Sequence, residues 1–343
     1  MPNEDDTAAS DRPWIERVST GNLPSPDEVQ ALVAEGYDRF RDIREGRVAD
    51  YIPALADAPP DAFGVCVAGV GGGVYAIGDA EVEFTIQSIS KLFVFALVCD
   101  ALGPEEARRK LGVNSTGLPF DSVMAIELNA DRTMNPMVNA GALATASLVP
   151  GGSAEEKFES VVQALSRFAG RRLAMDDEVY ESETETNFRN RGIAHLLYGY
   201  GRMYCDPEVA TDLYTRQCAL RVNARDLAVM GATLADGGVN PLTGERAIAA
   251  TNCKRVLAVL ATAGLYERSG EWLYDVGLPG KSGVSGGLVT VSPGKGGVGT
   301  FSPPLDDAGN SVRGQRITTF LSEALGLNLF TSAPLREGAR ATG

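Results

Sequence analysis

The sequence predicts an α/β fold in which strands from both ends of the chain form one unit around a helical insertion. Two apolar runs, FGVCVAGV and GVYAIGD, are joined by the glycines at 71–73 and predict a strand pair near the N-terminus. GGLVTVSPGKGGVGTFSP predicts a second pair near the C-terminus. Most of the chain between these pairs has the apolar spacing of helices, with glycine or proline stops. Strands at both ends and helices between them favour one α/β unit with an inserted helical part.

Local signals place the other elements. SPDEVQALV predicts a first helix with Ser25 as N-cap, Pro26 in the first turn and Glu28 at the capping-box position. RITTFLSEAL predicts a closing helix. Further helices are predicted in ALATASLV, EEKFESVVQALSRFAG, AHLLYGYGRM, PEVATDLYTRQCAL, ARDLAVMGATLADGG and CKRVLAVLATAG. We expect tails at 1–12 and 333–343, a sheet domain from 13–90 plus 256–332, a helical domain over 91–255, and an active site between the two domains.

Charge and cysteine content narrow the possible partners and the compartment. The chain has 343 residues, 31 Lys plus Arg and 45 Asp plus Glu, so the net charge is 31 − 45 = −14. Such a chain has no general basic surface for nucleic acid or anionic membranes. Its five widely spaced cysteines indicate free thiols in a reducing cytosol. The acidic N-terminus lacks the features of a secretory signal, and the longest apolar run, 92–99, is too short to span a bilayer. We therefore expect a soluble cytoplasmic protein.

Histidine and lysine are scarce. The single histidine, His195, excludes a multi-histidine metal site and is expected in the core or on a helix face. No cofactor or metal is expected. Only six lysines occur, and lysine, unlike arginine, can lose its proton near neutral pH.

A Ser-x-x-Lys element is the sharpest local feature. TIQSISKLFVFALVCDALGP predicts an amphipathic helix that ends at Gly103, with Ser88 in its first turn and Lys91 one turn later. Burial beside apolar side chains would let Lys91 act as the base that activates the Ser88 hydroxyl. The pattern alone is weak. It also occurs as Ser292 to Lys295, in a turn where no catalytic role is needed.

A second element strengthens this interpretation. GLPGKSGVSGG places Lys281-Ser282-Gly283 and then Val284 before a strand. A small-residue edge strand lets a substrate lie close, and its N–H groups can complete an oxyanion hole. A helical S-x-x-K followed by K-[ST]-G before a strand is the layout of serine β-lactamases and penicillin-binding proteins. Lys281 could instead orient its strand by hydrogen bonding.

The chain resembles the serine-dependent glutaminases, β-lactamase-like amidohydrolases that convert glutamine to glutamate and ammonia. The resemblance runs from about residue 47 to about residue 316. It rests on ordered blocks: GRVADYIPALA, QSISK, NPMVNAGAL, ESETETNFRN, DLYTRQCAL, ATLADGGVNPLTGER, GLYERSGEWLYDVGLPGKSGVSGG and SPPLDDAGNSVRG. It implies a β-lactamase/transpeptidase-like α+β fold, with an antiparallel sheet flanked by helices and an inserted helical domain. It also implies a homodimer or homotetramer.

The resemblance assigns a role to each matching residue. Ser88 is implied to be the nucleophile and Lys91 its general base. The Val284 amide is implied to pair with that of Ser88 as the oxyanion hole. Further site residues are implied at Tyr51, Asn139, Glu183, Asn190, Tyr214 and Tyr266.

Ligand chemistry is consistent with these roles but leaves details open. Only an anion such as Glu183 can pair with the substrate ammonium by charge. The neutral amides and phenols can bind the substrate carboxylate by hydrogen bonds. Tyr266 could relay a proton to the leaving ammonia. Which donor contacts which oxygen does not follow from the sequence.

Simpler interpretations exist for individual residues. The tyrosines could be packed helix aromatics, Asn139 a helix cap, and Glu183 a surface charge in an acidic run. Two other functions also compete. A penicillin-interactive acyl enzyme would form a stable β-lactam adduct, but the sequence has no S-D-N element. A non-catalytic amino-acid-binding relative would bind glutamine without turnover.

Overall fold

A computed structural model of the chain describes residues 21–132 and 134–332. The two predicted tails and residues 13–20 of the predicted sheet domain lie outside these ranges. The strands are β1 (Gly64–Gly69), β2 (Val74–Gly78), β3 (Phe84–Thr85), β4 (Arg221–Val222), β5 (Gly280–Ser282), β6 (Gly287–Ser292) and β7 (Gly296–Phe301). The helices are α1 (Pro26–Phe40), α2 (Pro53–Ala56), α3 (Ser90–Leu102), α4 (Pro104–Leu111), α5 (Met124–Glu127), α6 (Asn139–Ser147), α7 (Ala154–Ala169), α8 (Asp177–Thr186), α9 (Phe188–Gly199), α10 (Pro207–Cys218), α11 (Ala224–Ala235), α12 (Ala250–Ala263), α13 (Ser269–Asp275) and α14 (Val312–Ala324).

One antiparallel sheet joins the two ends of the chain. Its strand order is β2-β1-β7-β6-β5. β1 pairs with both β2 and β7, so the N-terminal strand pair meets the C-terminal pair at the centre of the sheet. The predicted antiparallel sheet, built from strands of both ends of the chain, is therefore confirmed. β5, which carries the K-S-G block, lies at the edge beside β6.

Helices cover both faces of this sheet. Successive side chains of a strand point to opposite faces. Val65 and Val67 join the core formed with α1 and α14, whereas Cys66 and Ala68 pack against α11. This two-sided cover explains why β1, β6 and β7 are buried along their whole length.

Glycines allow α11 to lie directly on β7. A Cβ at Gly299 would lie 2.1 Å from the carbonyl oxygen of Ala224, and one at Gly297 would lie 2.4 Å from that of Ala228. Only glycine permits this approach of the two backbones. The sequence predicts α11 in the helical domain. This part of the division is wrong, because α11 packs on the sheet. The other domain boundaries stay predictions.

The first helix begins where predicted but without the predicted cap. Ser25 occupies the N-cap position before Pro26, yet its side chain accepts no capping hydrogen bond. The Val29 N–H donates to the Ser25 carbonyl instead. The predicted capping box of Ser25 and Glu28 is therefore incomplete.

The helix that follows the predicted nucleophile is a core helix. α3 ends at Leu102, before Gly103, as predicted. It is not amphipathic, however, because residues 90–96 are all buried, the polar Ser90 and Lys91 included. Other helices surround it, and Phe93 packs against Phe168 of α7 with ring centroids 4.9 Å apart. Within the described residues, no helix has the length and apolar character needed to cross a bilayer.

Candidate active site

Ser88 lies in a short 3-10 helix, residues 87–89, that leads into α3. Phe84 and Thr85, just before it, form β3 and pair with Val222 and Arg221 of β4, which anchors this end of the segment. Ser88 is largely buried, with 8% of its surface exposed. The hydroxyl of the predicted nucleophile therefore stands at the start of a buried helix.

Lys91 lies inside the protein without an acidic partner at ion-pair distance. Its Nζ donates to Asn139 Oδ1 at 2.7 Å and to the Met137 carbonyl at 3.4 Å. In residues 21–132 and 134–332, no carboxylate lies within 4 Å of this nitrogen and no hydrogen bond joins it to Ser88. Burial lowers the pKa of Lys91 to about 8, against opposing effects of Cys218, Glu183 and Asp121. A neutral amine is thus accessible near physiological pH.

Asn139, Asn190 and Tyr214 form one hydrogen-bonded group around Lys91. The Asn139 side chain donates through Nδ2 to Asn190 Oδ1 at 3.0 Å, and the Tyr214 hydroxyl donates to Asn139 Oδ1 at 3.5 Å. Asn139 begins α6 but makes no capping hydrogen bond, since Val138 is the N-cap residue. The Asn139 side chain therefore serves the site and not the helix end.

Glu183 is buried although its sequence neighbours are acidic and exposed. It lies on the inner face of α8 with 8% of its surface exposed, while Glu181 and Glu185 face solvent. Desolvation raises the pKa of Glu183 to about 7, and a hydrogen bond from Gln87 and the charge of Lys91 oppose that rise. The interpretation of Glu183 as a surface charge is therefore wrong.

Tyr266 and Lys281 form a second buried pair beside Lys91. Lys281 Nζ lies 4.0 Å from the ring centroid of Tyr266 and donates to the Ser282 carbonyl at 2.9 Å. Burial is the main reason that the pKa of Lys281 lies well below its usual value, and the positive charge of Lys91 lowers it further. The Lys281 side chain therefore packs on Tyr266 and also bonds to its own strand.

The hydroxyl of Tyr266 faces the nucleophile. Burial raises the pKa of Tyr266 to about 12, and the hydroxyls of Ser88 and Ser282 lie close enough to counter part of that rise. No hydrogen bond from the buried phenol oxygen reaches another described residue. Tyr266 thus remains a protonated phenol beside Ser88.

Two backbone N–H groups are available for an oxyanion. Val284 follows β5, and the preceding Gly283 packs on the segment that carries Ser88. A Cβ at Gly283 would lie 2.9 Å from the Ile86 carbonyl oxygen and 3.4 Å from Gln87 Cβ. In the part of the chain that the structure describes, neither the Ser88 nor the Val284 N–H donates to a protein acceptor. Unpaired N–H groups of this kind are what an oxyanion hole requires.

Tyr51 lies at the mouth of the site. It is 58% exposed and lines a cavity of about 440 Å³ together with Phe120 and Val284. Desolvation of its hydroxyl is the main reason that the pKa of Tyr51 is raised, and the nearby Tyr266 and Glu183 raise it further. A larger cavity of about 630 Å³, between α13 and α14, contains none of the predicted site residues.

Several neighbours of the site have no local sequence signal. Phe120 packs on Tyr266 with ring centroids 4.7 Å apart, and its carbonyl accepts a hydrogen bond from the Asn139 N–H at 2.8 Å. The sequence also did not reveal a hydrogen-bonded group of three side chains, Gln87, Thr85 and Ser285. The first stands inside the QSISK block, which is the signal that could have identified it.

The second S-x-x-K motif is structural, as predicted. Ser292 Oγ donates to the Leu327 carbonyl at 3.0 Å, and Lys295 Nζ donates to that of Gly326. Both side chains fix the segment that follows α14. His195 is on a helix face and not in the core, because its side chain is exposed on α9 and pairs with Glu208 at 3.0 Å.

An antiparallel sheet flanked by helices, with a buried Ser-x-x-Lys element facing a K-[ST]-G strand, defines a β-lactamase-like serine protein. A family profile described as Glutaminase matches residues 46–330, and the chain belongs to that family. A relative named Glutaminase 2, from Yersinia pestis, is 58% identical over 337 residues, which cover 98% of each chain.

Solved structures agree with this family and its fold. One described as a probable glutaminase, ybaS, has a TM-score of 0.89 and 45% identity, over 90% of this chain and 100% of that one. A structure of Mglu in its glutamate form has a TM-score of 0.83 and 42% identity, over 90% of this chain and 70% of that one. The fold implied by the sequence resemblance is confirmed.

Proposed function

We propose that this protein is a glutaminase that hydrolyses the linear side-chain amide of L-glutamine to L-glutamate and ammonia through an acyl enzyme on Ser88. The observation that carries the proposal is the buried Lys91 one turn after Ser88, which donates to Asn139 and has no carboxylate at ion-pair distance among the described residues. Such a lysine can accept a proton, because burial disfavours its charged form. Membership of the glutaminase family supports glutamine as the substrate.

Charge and hydrogen bonding in the pocket favour a free amino acid. Glu183 supplies the anion for the substrate ammonium, and it pairs with no lysine or arginine within the described residues. Tyr214 donates to Asn139, and Asn139 donates to Asn190 Oδ1, which leaves the Asn190 Nδ2 group as a donor for the substrate carboxylate. The relative Mglu was solved in a glutamate form, which is consistent with an amino-acid site of this size.

The reaction begins with attack of Ser88 Oγ on the amide carbon, while Lys91 Nζ takes the hydroxyl proton. The N–H groups of Ser88 and Val284 stabilise the tetrahedral oxyanion. The C–N bond then breaks, and the proton that Lys91 took passes through the Tyr266 hydroxyl to the leaving nitrogen, so that ammonia departs, Lys91 is neutral again and a γ-glutamyl ester remains on Ser88. Water attacks this ester while Lys91 accepts a proton from it. Lys91 then returns this proton to Ser88 Oγ as the ester bond breaks, which releases glutamate and regenerates the Ser88 hydroxyl.

Tyr51 is assigned to the entrance of this pocket. Its hydroxyl stays protonated because its pKa is raised, so it can only donate or accept a hydrogen bond and cannot serve as a base. From the entrance it supplies a further hydrogen-bond donor to the bound substrate.

We also propose that the protein acts in the cytoplasm as a homodimer or homotetramer. Five free cysteines fit a reducing compartment. The oligomer follows from the family resemblance alone. Its molar mass in solution, measured by light scattering, tests it: a monomer at micromolar concentration would contradict it.

The decisive experiment compares the two Ser-x-x-Lys serines. Ser88→Ala should lower ammonia release from glutamine by at least about 10³-fold, because the nucleophile is lost. Ser292→Ala is the matched control, since it removes a buried serine hydroxyl that donates to the Leu327 carbonyl, and it should keep wild-type kcat. Asparagine is assayed in parallel. Full activity in Ser88→Ala would contradict the assignment, and a wild type that binds glutamine without releasing ammonia would favour a non-catalytic receptor.

A further inference from the structure

A chain of buried polar side chains connects Glu183 to the loop that carries Val284. Gln87 Nε2 lies 3.5 Å from Glu183 Oε2 and 3.3 Å from Thr85 Oγ1. Thr85 Oγ1 in turn lies 2.9 Å from Ser285 Oγ. All of these side chains are buried. The reaction steps above use none of the three that link Glu183 to the loop.

The chemistry of the neighbours fixes the direction of the hydrogen bonds that Gln87 makes. A carboxylate only accepts, so the Gln87 amide must turn its nitrogen and not its oxygen toward Glu183. The second N–H of this nitrogen then points to Thr85 Oγ1. Thr85 accepts it, and either hydroxyl can donate in the hydrogen bond that Thr85 forms with Ser285 Oγ. A single amide group thus bridges the carboxylate and the hydroxyl pair.

The backbone of Gln87 adds a second observation. Its φ is 50°, in the left-handed region that side-chain-bearing residues rarely adopt. Such a conformation persists only where the surroundings hold it. Gln87 directly precedes Ser88, and Gly283 packs against its Cβ. One residue therefore contacts the carboxylate, the nucleophile segment and the oxyanion loop.

We propose that Gln87 is a positioning residue that fixes Glu183 relative to the acyl centre of Ser88 and Val284, with Thr85 and Ser285 holding its amide in place. This rests on the proposed function, in which Glu183 binds the substrate ammonium. Two consequences follow. Loss of the Gln87 donor weakens substrate binding, and it raises the pKa of Glu183 further above its present value of about 7. In a larger fraction of the protein molecules, the Glu183 side chain is then protonated and neutral at pH 7.

The test measures KM and kcat for ammonia release from glutamine between pH 6 and pH 9. Gln87→Ala should raise KM about tenfold at pH 7, the size expected for a hydrogen bond to a charged group. The increase should become smaller toward pH 9, where Glu183 ionises even without its donor. kcat should change by less than KM.

Two variants at position 85 control for the strained backbone of Gln87. Thr85→Val has nearly the same shape but removes the hydroxyl, so KM and its pH dependence should shift in the same direction as in Gln87→Ala. Thr85→Ser keeps the hydroxyl and should restore wild-type values. If Gln87→Ala fails to fold, the KM of Thr85→Val alone decides whether the proposal stands.

The proposal is overturned if Thr85→Val, or a folded Gln87→Ala, keeps the wild-type KM across this pH range, even if Tm falls. That result would mean that the side chains serve stability alone. A wild-type protein that releases no ammonia from glutamine would instead contradict the proposed function, so the two failures are distinguishable.

Discussion

Replacement of Lys91 by arginine tests the proposed base most directly. Lys91 is 1% exposed, and its two acceptors are the neutral oxygens of Asn139 and Met137. Desolvation, with no carboxylate within 4 Å in the part of the chain that the structure describes, is the reason that the pKa of Lys91 falls from 10.5 to about 8. Arginine at this position keeps the positive charge and the donors, but its pKa lies above about 12 and it cannot accept the Ser88 proton.

The size of the effect follows from the fraction of neutral amine. With a pKa of about 8, roughly one Lys91 in eleven is neutral at pH 7; with the ordinary value of 10.5, the fraction is about one in three thousand. Burial therefore increases the neutral form about 300-fold. Since general-base catalysis contributes about 10²–10⁴-fold, Lys91→Arg should lower kcat by at least about 10²-fold.

The same pKa sets the pH dependence of the wild type. Neutral Lys91 accumulates as the pH rises through about 8, so kcat should increase from pH 6 through pH 8 and level off above about pH 9. Ammonia release is measured across this range for the wild type, for Lys91→Arg and for Lys254→Arg, a matched exchange at an exposed position of α12. Lys254→Arg should retain full activity. Activity of Lys91→Arg within a few-fold of the wild type, or a flat wild-type profile, would refute the assignment of Lys91 as base.

Two further predictions concern stability. Glu183→Gln should abolish activity yet raise Tm at pH 8, because a carboxyl whose pKa is raised from 4.5 to about 7 costs stability once it ionises. The gain in the free energy of unfolding should be absent below pH 4.5, grow between pH 4.5 and about pH 7, and approach about 3 kcal/mol above that. A Tm below that of the wild type at pH 8 would contradict this. Gly299→Ala should cost about 1–3 kcal/mol, because its Cβ would meet the Ala224 carbonyl at 2.1 Å. Gly71→Ala, whose Cβ meets nothing within 4 Å, is the control, and equal Tm values for the two variants would disprove this account of the contact between α11 and β7.

The elements with local signals could be predicted from the sequence. β1 and β2 are short apolar runs joined by a glycine turn, and α3 stops at Gly103. β3 and β4 could not be predicted, since two-residue strands have no periodicity and their partners lie far apart in the chain. The position of α11 on the sheet depends on glycines in β7, and a helix pattern alone does not say which layer it packs against.

The candidate site was less visible in local patterns. Ser88 and Lys91 stand in a recognisable motif, but their burial depends on the helices around α3. Glu183 belongs to an acidic run that resembles a solvated surface, and only the family resemblance singled it out. Gln87 escaped notice because its role depends on contacts with Thr85 and Glu183, which the fold brings together.

The site residues come from nine separate parts of the fold: the segments before α2 and before α3, α3 itself, α6, α8, α9, α10, the short 3-10 helix before α13, and the loop after β5. Helices form locally within microseconds, whereas contacts between distant parts of a chain must first overcome loop-closure entropy. During refolding, the far-ultraviolet circular dichroism signal should therefore return before ammonia release does. Enzymatic activity thus reports the last docking events of this chain, which a measurement of helix content does not detect.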